Sequence, residues 1–127
     1  MSHRAFGIFV HITWHTRLRA RCMSRADACE IVDVIRIAAE RSSVHVHEVA
    51  VLTDHVHVIA SFRPELPVTP FIRHAKSESS RRINNRRGRV FDWARGYYIQ
   101  SLSRSHVSAA CAYVARQFRR HPDRIPA

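Results

Sequence analysis

Two histidines separated by a single valine, His55 and His57, stand inside the apolar run "TDHVHVIASF" (53–62), which is typical of a buried β-strand. Because successive side chains of a strand point to opposite faces, the two imidazoles share one face, about 6–7 Å apart. Neutral imidazole binds several divalent first-row metals, so the pair can hold one ion. The alternative is two hydrogen-bonded strand histidines without a chemical role, because this spacing alone is a weak pattern.

A tyrosine and a glutamine near the C-terminus have the types and spacing to complete such a site. Tyr113 and Gln117 are one helical turn apart, outside the apolar stripe of the helix predicted here. A tyrosine beside a metal ion is a candidate nucleophile, and an amide oxygen can supply a third ligand. The alternative is a surface tyrosine that packs along its own helix. The stripe consists of Val107, Ala110, Cys111, Val114 and Phe118.

The patterns between these residues predict the elements that position them. Ser24 and Asp27 form a capping-box pattern before an apolar helical face, and Thr53-Asp54 predicts a tight turn between two strands. Ser105 is the expected cap of the last helix, which Pro122 ends. The order β-α-β-β-α-β-α favours an α+β fold of ferredoxin-like type, an antiparallel sheet followed by a helix that carries the tyrosine. The predicted strands cover 5–15, 43–52, 54–62 and 96–102, and the helices cover 25–41, 70–88 and 106–121.

Length and composition narrow the class of protein. The 127 residues predict one domain, 1–127, and no apolar run is long enough to span a membrane. The three cysteines, Cys22, Cys29 and Cys111, are odd in number and form no Cys-x-x-Cys pair. We therefore expect no disulfide and a reducing, cytoplasmic location.

The charge of the chain points to nucleic acid. Lysine and arginine total 21 against 10 acidic residues, a net charge of +11, and all the basic residues except Lys76 are arginines. Arginine binds phosphate bidentately and stacks on bases, although a basic helix face can also be merely solvated. We expect Trp93 to belong to the core. The residues expected to contact DNA are Arg73, Lys76, Arg81, Arg82, Arg86, Arg87 and Arg89.

Several segments in this order resemble one family, the single-tyrosine HUH transposases of small bacterial insertion sequences and their REP-associated relatives. "TDHVHVIASF" is similar to the family's His-hydrophobic-His motif, and "AYVARQ" is similar to its tyrosine helix. "HITWHTRLR" resembles the family's first strand and basic turn. "FIRHAKSESSRRI" and "FDWARGYYIQSL" resemble the helix and the strand that lie between the two motifs.

The resemblance implies roles for individual residues. His55, His57 and Gln117 would be ligands of Mg²⁺ or Mn²⁺, and Tyr113 would be the nucleophile. The tyrosine would attack a phosphate in hairpin-bearing single-stranded DNA, leaving a 5′-phosphotyrosine and a free 3′-OH. The resemblance also implies a homodimer whose active sites can be shared between subunits, at work on the nucleoid.

Two other functions stay open at this point. The chain can be a domesticated relative that acts on repeated chromosomal hairpins. It can also be a non-catalytic module that binds single-stranded nucleic acid with the same fold and basic face. The set of His55, His57, Tyr113 and Gln117 argues against the second alternative, because a binding module does not need all four.

Overall fold

The computed structural model describes residues 7–88 and 90–127 and contains the predicted α+β fold. Within these residues, four strands and four α-helices follow in the order β1, α1, β2, β3, α2, β4, α3 and α4. The strands are β1 (Ile8–His15), β2 (His45–Val51), β3 (His55–Phe62) and β4 (Tyr98–Leu102). The helices are α1 (Arg25–Arg41), α2 (Thr69–Arg87), α3 (Val107–Ala115) and α4 (Gln117–Arg120).

The sheet has the strand order β2-β3-β1-β4 with every neighbouring pair antiparallel, which confirms the ferredoxin-like prediction. The Thr53-Asp54 turn joins β2 to β3, and the Leu52 N–H donates to the His55 carbonyl at 2.8 Å. A register shift between Val46 and Glu48 marks a bulge in β2. The antiparallel register places Thr13 of β1 opposite His57 and His15 opposite His55.

One face of the sheet carries the main core. Val56 and Val58 point to this face and pack with β1 residues, such as Ile12 and Trp14, beneath α1 and α2. The predicted capping box starts α1: the Asp27 N–H donates to Ser24 Oγ, and the Ser24 N–H donates to an Asp27 carboxylate oxygen. Trp93 lies in this core as expected and donates from its indole nitrogen to Ser79 Oγ.

The opposite face of the sheet carries α3 and the two histidines of β3. A small apolar cluster of Ala50, Leu52, Ile59 and Val114 fixes α3 over β2 and β3. Val114 is the buried residue of α3, and Val107, Ala110 and Cys111 of the same helix pack around the cluster. None of the three cysteines, which all lie among the described residues, forms a disulfide, and no helix of this part of the chain is both long and apolar enough to cross a bilayer.

Three predicted boundaries need correction. The strand predicted over 43–52 is His45–Val51, because Ser43 has a left-handed φ of 56° that no strand accommodates. The strand predicted over 96–102 begins at Tyr98, since Gly96 turns the chain with a φ of 78°. The first strand begins at Ile8, and residues 5 and 6 of the prediction lie outside the described residues.

The last predicted helix, 106–121, is two helices. Arg116 adopts a ψ of −2°, and its N–H is shared among the carbonyls of Ala112, Tyr113 and Val114, which ends α3 before α4 starts. Ser105 is not the cap: a short 3₁₀ turn, Arg104–His106, precedes α3, and Ser103 Oγ contacts His106 Nδ1 instead. The prediction failed here because it assumed one uninterrupted helical period.

Candidate active site

His55 and His57 lie side by side on the α3 face of β3, and each is only 7% exposed. Their Nε2 atoms approach to 3.1 Å, and their ring centroids are 4.8 Å apart. The expectation that they share one face is met, because Val56 between them points into the core on the other side. Two buried imidazole nitrogens are thereby aimed at one point.

Hydrogen bonds to the far side of each ring orient the pair. His55 Nδ1 lies 2.7 Å from an Asp54 carboxylate oxygen, which can only accept, so the proton is on Nδ1 and the Nε2 lone pair is free. His57 Nδ1 lies 2.9 Å from His11 Nε2. When His57 Nδ1 is the donor in this contact, the Nε2 lone pair of His57 is free as well. Such outer partners hold the orientation and tautomer of metal-binding histidines.

The electrostatics keep His57 neutral and Asp54 charged. Burial, and then the neighbouring His55, lower the pKa of His57 to about 3. Burial acts to raise the pKa of Asp54, but the hydrogen bond from His55 and the nearby Arg124 charge together hold that pKa below its usual value. At neutral pH the His57 imidazole is therefore available as a ligand.

This donor pair fits a divalent first-row ion. Two ligands at right angles on an ion with bonds of about 2.1 Å are about 3 Å apart, which is the observed separation of the Nε2 atoms. Among the described residues, no group of three or more histidine, cysteine, aspartate or glutamate side chains could hold a metal ion. A third ligand from the described residues would then be of another type, such as an amide oxygen.

Tyr113 of α3 lies beside this pair. Its ring centroid is 6.2 Å from that of His57 and 6.2 Å from that of His11, in edge-on contacts. The tyrosine is 36% exposed, and the Arg120 guanidinium lies over its ring at 5.7 Å. The side chain is therefore next to the histidines and open to solvent, with a cation close by.

Gln117 is 2% exposed, and its amide nitrogen donates to the Tyr113 carbonyl at 3.3 Å. The break at Arg116 places it at the start of α4, so it is not one turn along the same helix, as the sequence suggested. Phe118, expected in the apolar stripe, is 36% exposed, because the break changes the helical phase. Gln117 is thus hydrogen-bonded to the backbone of Tyr113, and the role of Gln117 as a metal ligand stays a prediction.

Four polar side chains around the histidines were missed from the sequence. His11 and Asp54 bond to the pair, the His15 ring is 6.0 Å from the His55 ring, and Thr13 Oγ1 is 3.4 Å from His57 Nδ1. His11, Thr13 and His15 alternate along β1, so they share a face. Their alignment with His55 and His57 depends on the register between β1 and β3, which the sequence does not reveal.

The predicted DNA-contacting residues of α2 differ in their engagement within the protein. Arg81, Arg82, Arg86 and Arg87 form ion pairs, with Glu78, Glu30 or Asp27 as partners. The residues Arg73, Lys76 and Arg81 line a groove of about 720 Å³ between α2 and residues 92–97. Lys76 donates to the Ala94 and Gly96 carbonyls across this groove. Arg89 lies outside the described residues.

Comparisons with protein families and with individual proteins agree on one family. Residues 4–117 match the family model described as "Transposase IS200 like". The chain is 22% identical over 113 residues to the transposase for insertion sequence element IS200 of Salmonella typhimurium, covering 83% of this chain and 74% of that protein.

Two solved structures share the fold. A structure of the REP-associated tyrosine transposase bound to a REP hairpin superposes with a TM-score of 0.73 at 13% identity, over 90% of this chain and 68% of that one. The crystal structure of a transposase-like protein from Deinococcus radiodurans superposes with a TM-score of 0.69 at 19% identity, over 88% and 92% of the two chains.

Proposed function

Because this chain belongs to the IS200-like transposase family, we propose that it cleaves and rejoins single-stranded DNA with Tyr113 as the nucleophile. The metal ligands in this proposal are His55, His57 and Gln117, and the ion is Mg²⁺ or Mn²⁺. The observation that carries the proposal is the edge-on contact of Tyr113 with His57, whose Nε2 converges with that of His55 at 3.1 Å.

The proposed cleavage step exchanges one ester bond for another. The Tyr113 phenol oxygen forms a bond to the scissile phosphorus and loses its proton to solvent, while the bond from phosphorus to the 3′ oxygen breaks. The 3′ oxygen leaves and takes up a proton, so the products are a 5′-phosphotyrosine and a 3′-OH. A bound divalent ion would neutralise charge on the phosphate oxygens.

The chain's own residues would prepare this step. Asp54 and His11 hold the imidazoles, and burial keeps His57 uncharged. The Arg120 guanidinium over the Tyr113 ring places a cation beside the proposed nucleophile. In the reverse step a 3′-OH of another DNA end attacks the phosphotyrosine and frees Tyr113, so no nucleotide cofactor is needed to store the bond energy.

The proposed substrate is DNA with hairpins close to the cleavage site. Its support is the net charge of +11, the groove lined by Arg73, Lys76 and Arg81, and the REP hairpin bound by the structurally similar tyrosine transposase. A chromosomal substrate implies action on the nucleoid. Because Arg81, Arg82, Arg86 and Arg87 are engaged in internal ion pairs, we assign direct DNA contact first to Arg73.

We also propose a homodimer whose tyrosine helices can serve either subunit. In this chain Tyr113 lies beside its own His57, on a helix of nine residues that is bounded by the 3₁₀ turn Arg104–His106 and by the break at Arg116. Mixing a His57→Ala variant with a Tyr113→Phe variant tests this arrangement. Recovery of cleavage supports shared sites, whereas two inactive variants that stay inactive together contradict sharing.

The test of the proposed function is formation of a covalent protein–DNA species. Hairpin-bearing single-stranded DNA from the ends of the chain's own genetic element is labelled, incubated with protein and Mn²⁺, and run on a denaturing gel. We expect a shifted species with wild-type protein that is absent with EDTA and absent with Tyr113→Phe. A Tyr97→Phe variant, altered at a tyrosine packed against the core, serves as the matched control.

A further inference from the structure

An uninterrupted row of aromatic rings leads from Tyr113 across the sheet to its exposed edge. Tyr113 contacts His57, His57 contacts His55, His55 contacts His15, and His15 contacts Tyr98 of β4. The centroid spacings along the row lie between 4.8 and 6.2 Å. The inner members belong to the site described above, whereas Tyr98 has no part in it.

Tyr98 is unusual for its exposure. It is 68% exposed, although a tyrosine in a folded protein normally has much of its ring buried. It lies on β4, the strand at the outer edge of the sheet. The His15 ring contacts it edge-on at 90°, with the ring centroids 5.9 Å apart. An open aromatic face therefore lies only two ring positions from the metal-binding pair.

The charges around this surface favour a polyanion. The Arg19 guanidinium donates to His15 Nε2 at 2.9 Å, and the Arg104 guanidinium lies over the Phe9 ring at 5.2 Å on the same face. The sequences of β1 and β4 contain no acidic residue. The basic side chains of a protein or peptide partner would have no acidic residue to pair with on these strands. A nucleic acid strand, in contrast, can stack its bases on the exposed ring and pair its phosphates with the guanidinium groups.

We propose that Tyr98 is a stacking site for one base of the single-stranded DNA that flanks the scissile phosphate. The base belongs to a nucleotide one or two positions from the cleaved bond, because Tyr98 lies two rings from the histidine pair. His15 supports the tyrosine ring from the side, and Arg19 supplies charge next to it. This inference rests on the proposed function for the identity of the strand, and it adds a site that cleavage chemistry does not require.

The first test measures binding of single-stranded DNA by fluorescence anisotropy, with every variant built on Tyr113→Phe so that no cleavage occurs. Tyr98→Ala should weaken binding by about tenfold, the usual effect of losing one stacked base. Tyr98→Phe, which keeps the ring, should bind within about twofold of the parent. Ile99→Ala is the matched control, because Ile99 is partly exposed on the same strand but faces the other side.

A second measurement locates the base. Single abasic substitutions are moved along the strand on both sides of the cleavage site. One position should weaken binding to the parent by about tenfold yet cause no further loss with Tyr98→Ala, because the same contact is removed twice. Mn²⁺ affinity should be unchanged in Tyr98→Ala.

Either of two results would overturn the proposal. One is equal DNA binding by Tyr98→Ala and its parent. The other is a Tyr98→Ala protein that loses affinity only because it changes oligomeric state in sedimentation, which would assign the ring to a second copy of this chain. Failure of the proposed function looks different: wild type then forms no covalent adduct, whatever Tyr98 does to binding.

Discussion

Asp54 is the residue that determines how His55 presents its lone pair. It is 3% exposed and bonds to His55 Nδ1 at 2.7 Å, so it fixes both the ring and its tautomer. We predict that Asp54→Asn lowers Mn²⁺ affinity by about 10- to 100-fold, the usual effect of losing such an outer partner. Titration calorimetry on metal-stripped protein measures the change. Asp33→Asn, at an exposed position of α1, is the control, and equal affinity in both variants would contradict the assignment.

His57 gives the metal-free protein a defined acid sensitivity. Its pKa is about 3 in the folded protein because of burial and the neighbouring His55, but 6.5 in an unfolded chain. Between these values the unfolded chain binds the extra proton, so the free energy of unfolding decreases as pH falls from 6.5 towards 3. Between about pH 5.5 and 4.5, we predict that the free energy of unfolding of His57→Gln falls by about 1 kcal/mol less per pH unit than that of wild type.

Guanidinium unfolding at several pH values in EDTA measures the difference between His57→Gln and wild type. If both proteins lose stability at the same rate with falling pH, His57 is not held neutral by its surroundings.

The residues of the site differ in how far the sequence predicts them. The shared face of His55 and His57 follows from strand alternation alone, as the structure shows. The approach of Tyr113 to His57 joins positions far apart in the chain, so the residue types and the resemblance to a family suggested it, but no local pattern did. His11 and His15 were missed because strand register, a tertiary property, brings them to the pair.

At the scale of elements, Asp27 connects α1 to α2. Its buried carboxylate accepts from Arg86 and Arg87 of α2 as well as from the Ser24 N–H. Burial acts to raise its pKa, but the Ser24 and Arg86 hydrogen bonds hold it below the usual value. The stabilising charge is therefore present above about pH 4 and lost as pH falls further.

We predict that Asp27→Asn lowers the free energy of unfolding at pH 7 by about 2–4 kcal/mol, because it leaves two arginines without their buried partner. Thermal and denaturant unfolding measure the loss. Glu78→Gln, which breaks the ion pairs of Arg81 and Arg82 at the surface of α2, should stay near wild type. Equal losses in the two variants would contradict a special role for Asp27.

The ends of elements show where sequence patterns succeed and fail. The Ser24 capping box, the Thr53-Asp54 turn and the Gly88 end of α2 were predicted, because each depends on a few adjacent residues. The break at Arg116 was not predicted, since an arginine with ordinary helix propensity gives no local indication of it. Packing of Val114 on the sheet and burial of Gln117 are tertiary effects that the sequence pattern does not contain.

At the scale of the whole molecule, the net charge suggests more arginines for DNA contact than the ion pairs of the protein leave available. Ion pairs with Asp27, Glu30 and Glu78 engage the C-terminal half of α2, whereas exposed Arg73 lines the groove near its start. We predict that Arg73→Ala weakens single-stranded DNA binding and reduces the slope of log affinity against log salt by about 0.7.

Anisotropy titrations at several salt concentrations measure that slope. Arg36→Ala, an exposed arginine on α1, is the matched control and should leave the slope unchanged. An unchanged slope in Arg73→Ala would remove this residue from the DNA surface.

Tyr113 is the residue proposed to carry the DNA, and peptide mapping of the trapped adduct tests this central claim most directly. Wild-type protein is reacted with cognate hairpin-bearing DNA and Mn²⁺, digested with nuclease and protease, and analysed by mass spectrometry. We predict one modified peptide with a 5′-linked nucleotide on Tyr113. A nucleotide on Tyr97, Tyr98 or any other residue, or attachment through a 3′ phosphate, would contradict the proposed chemistry.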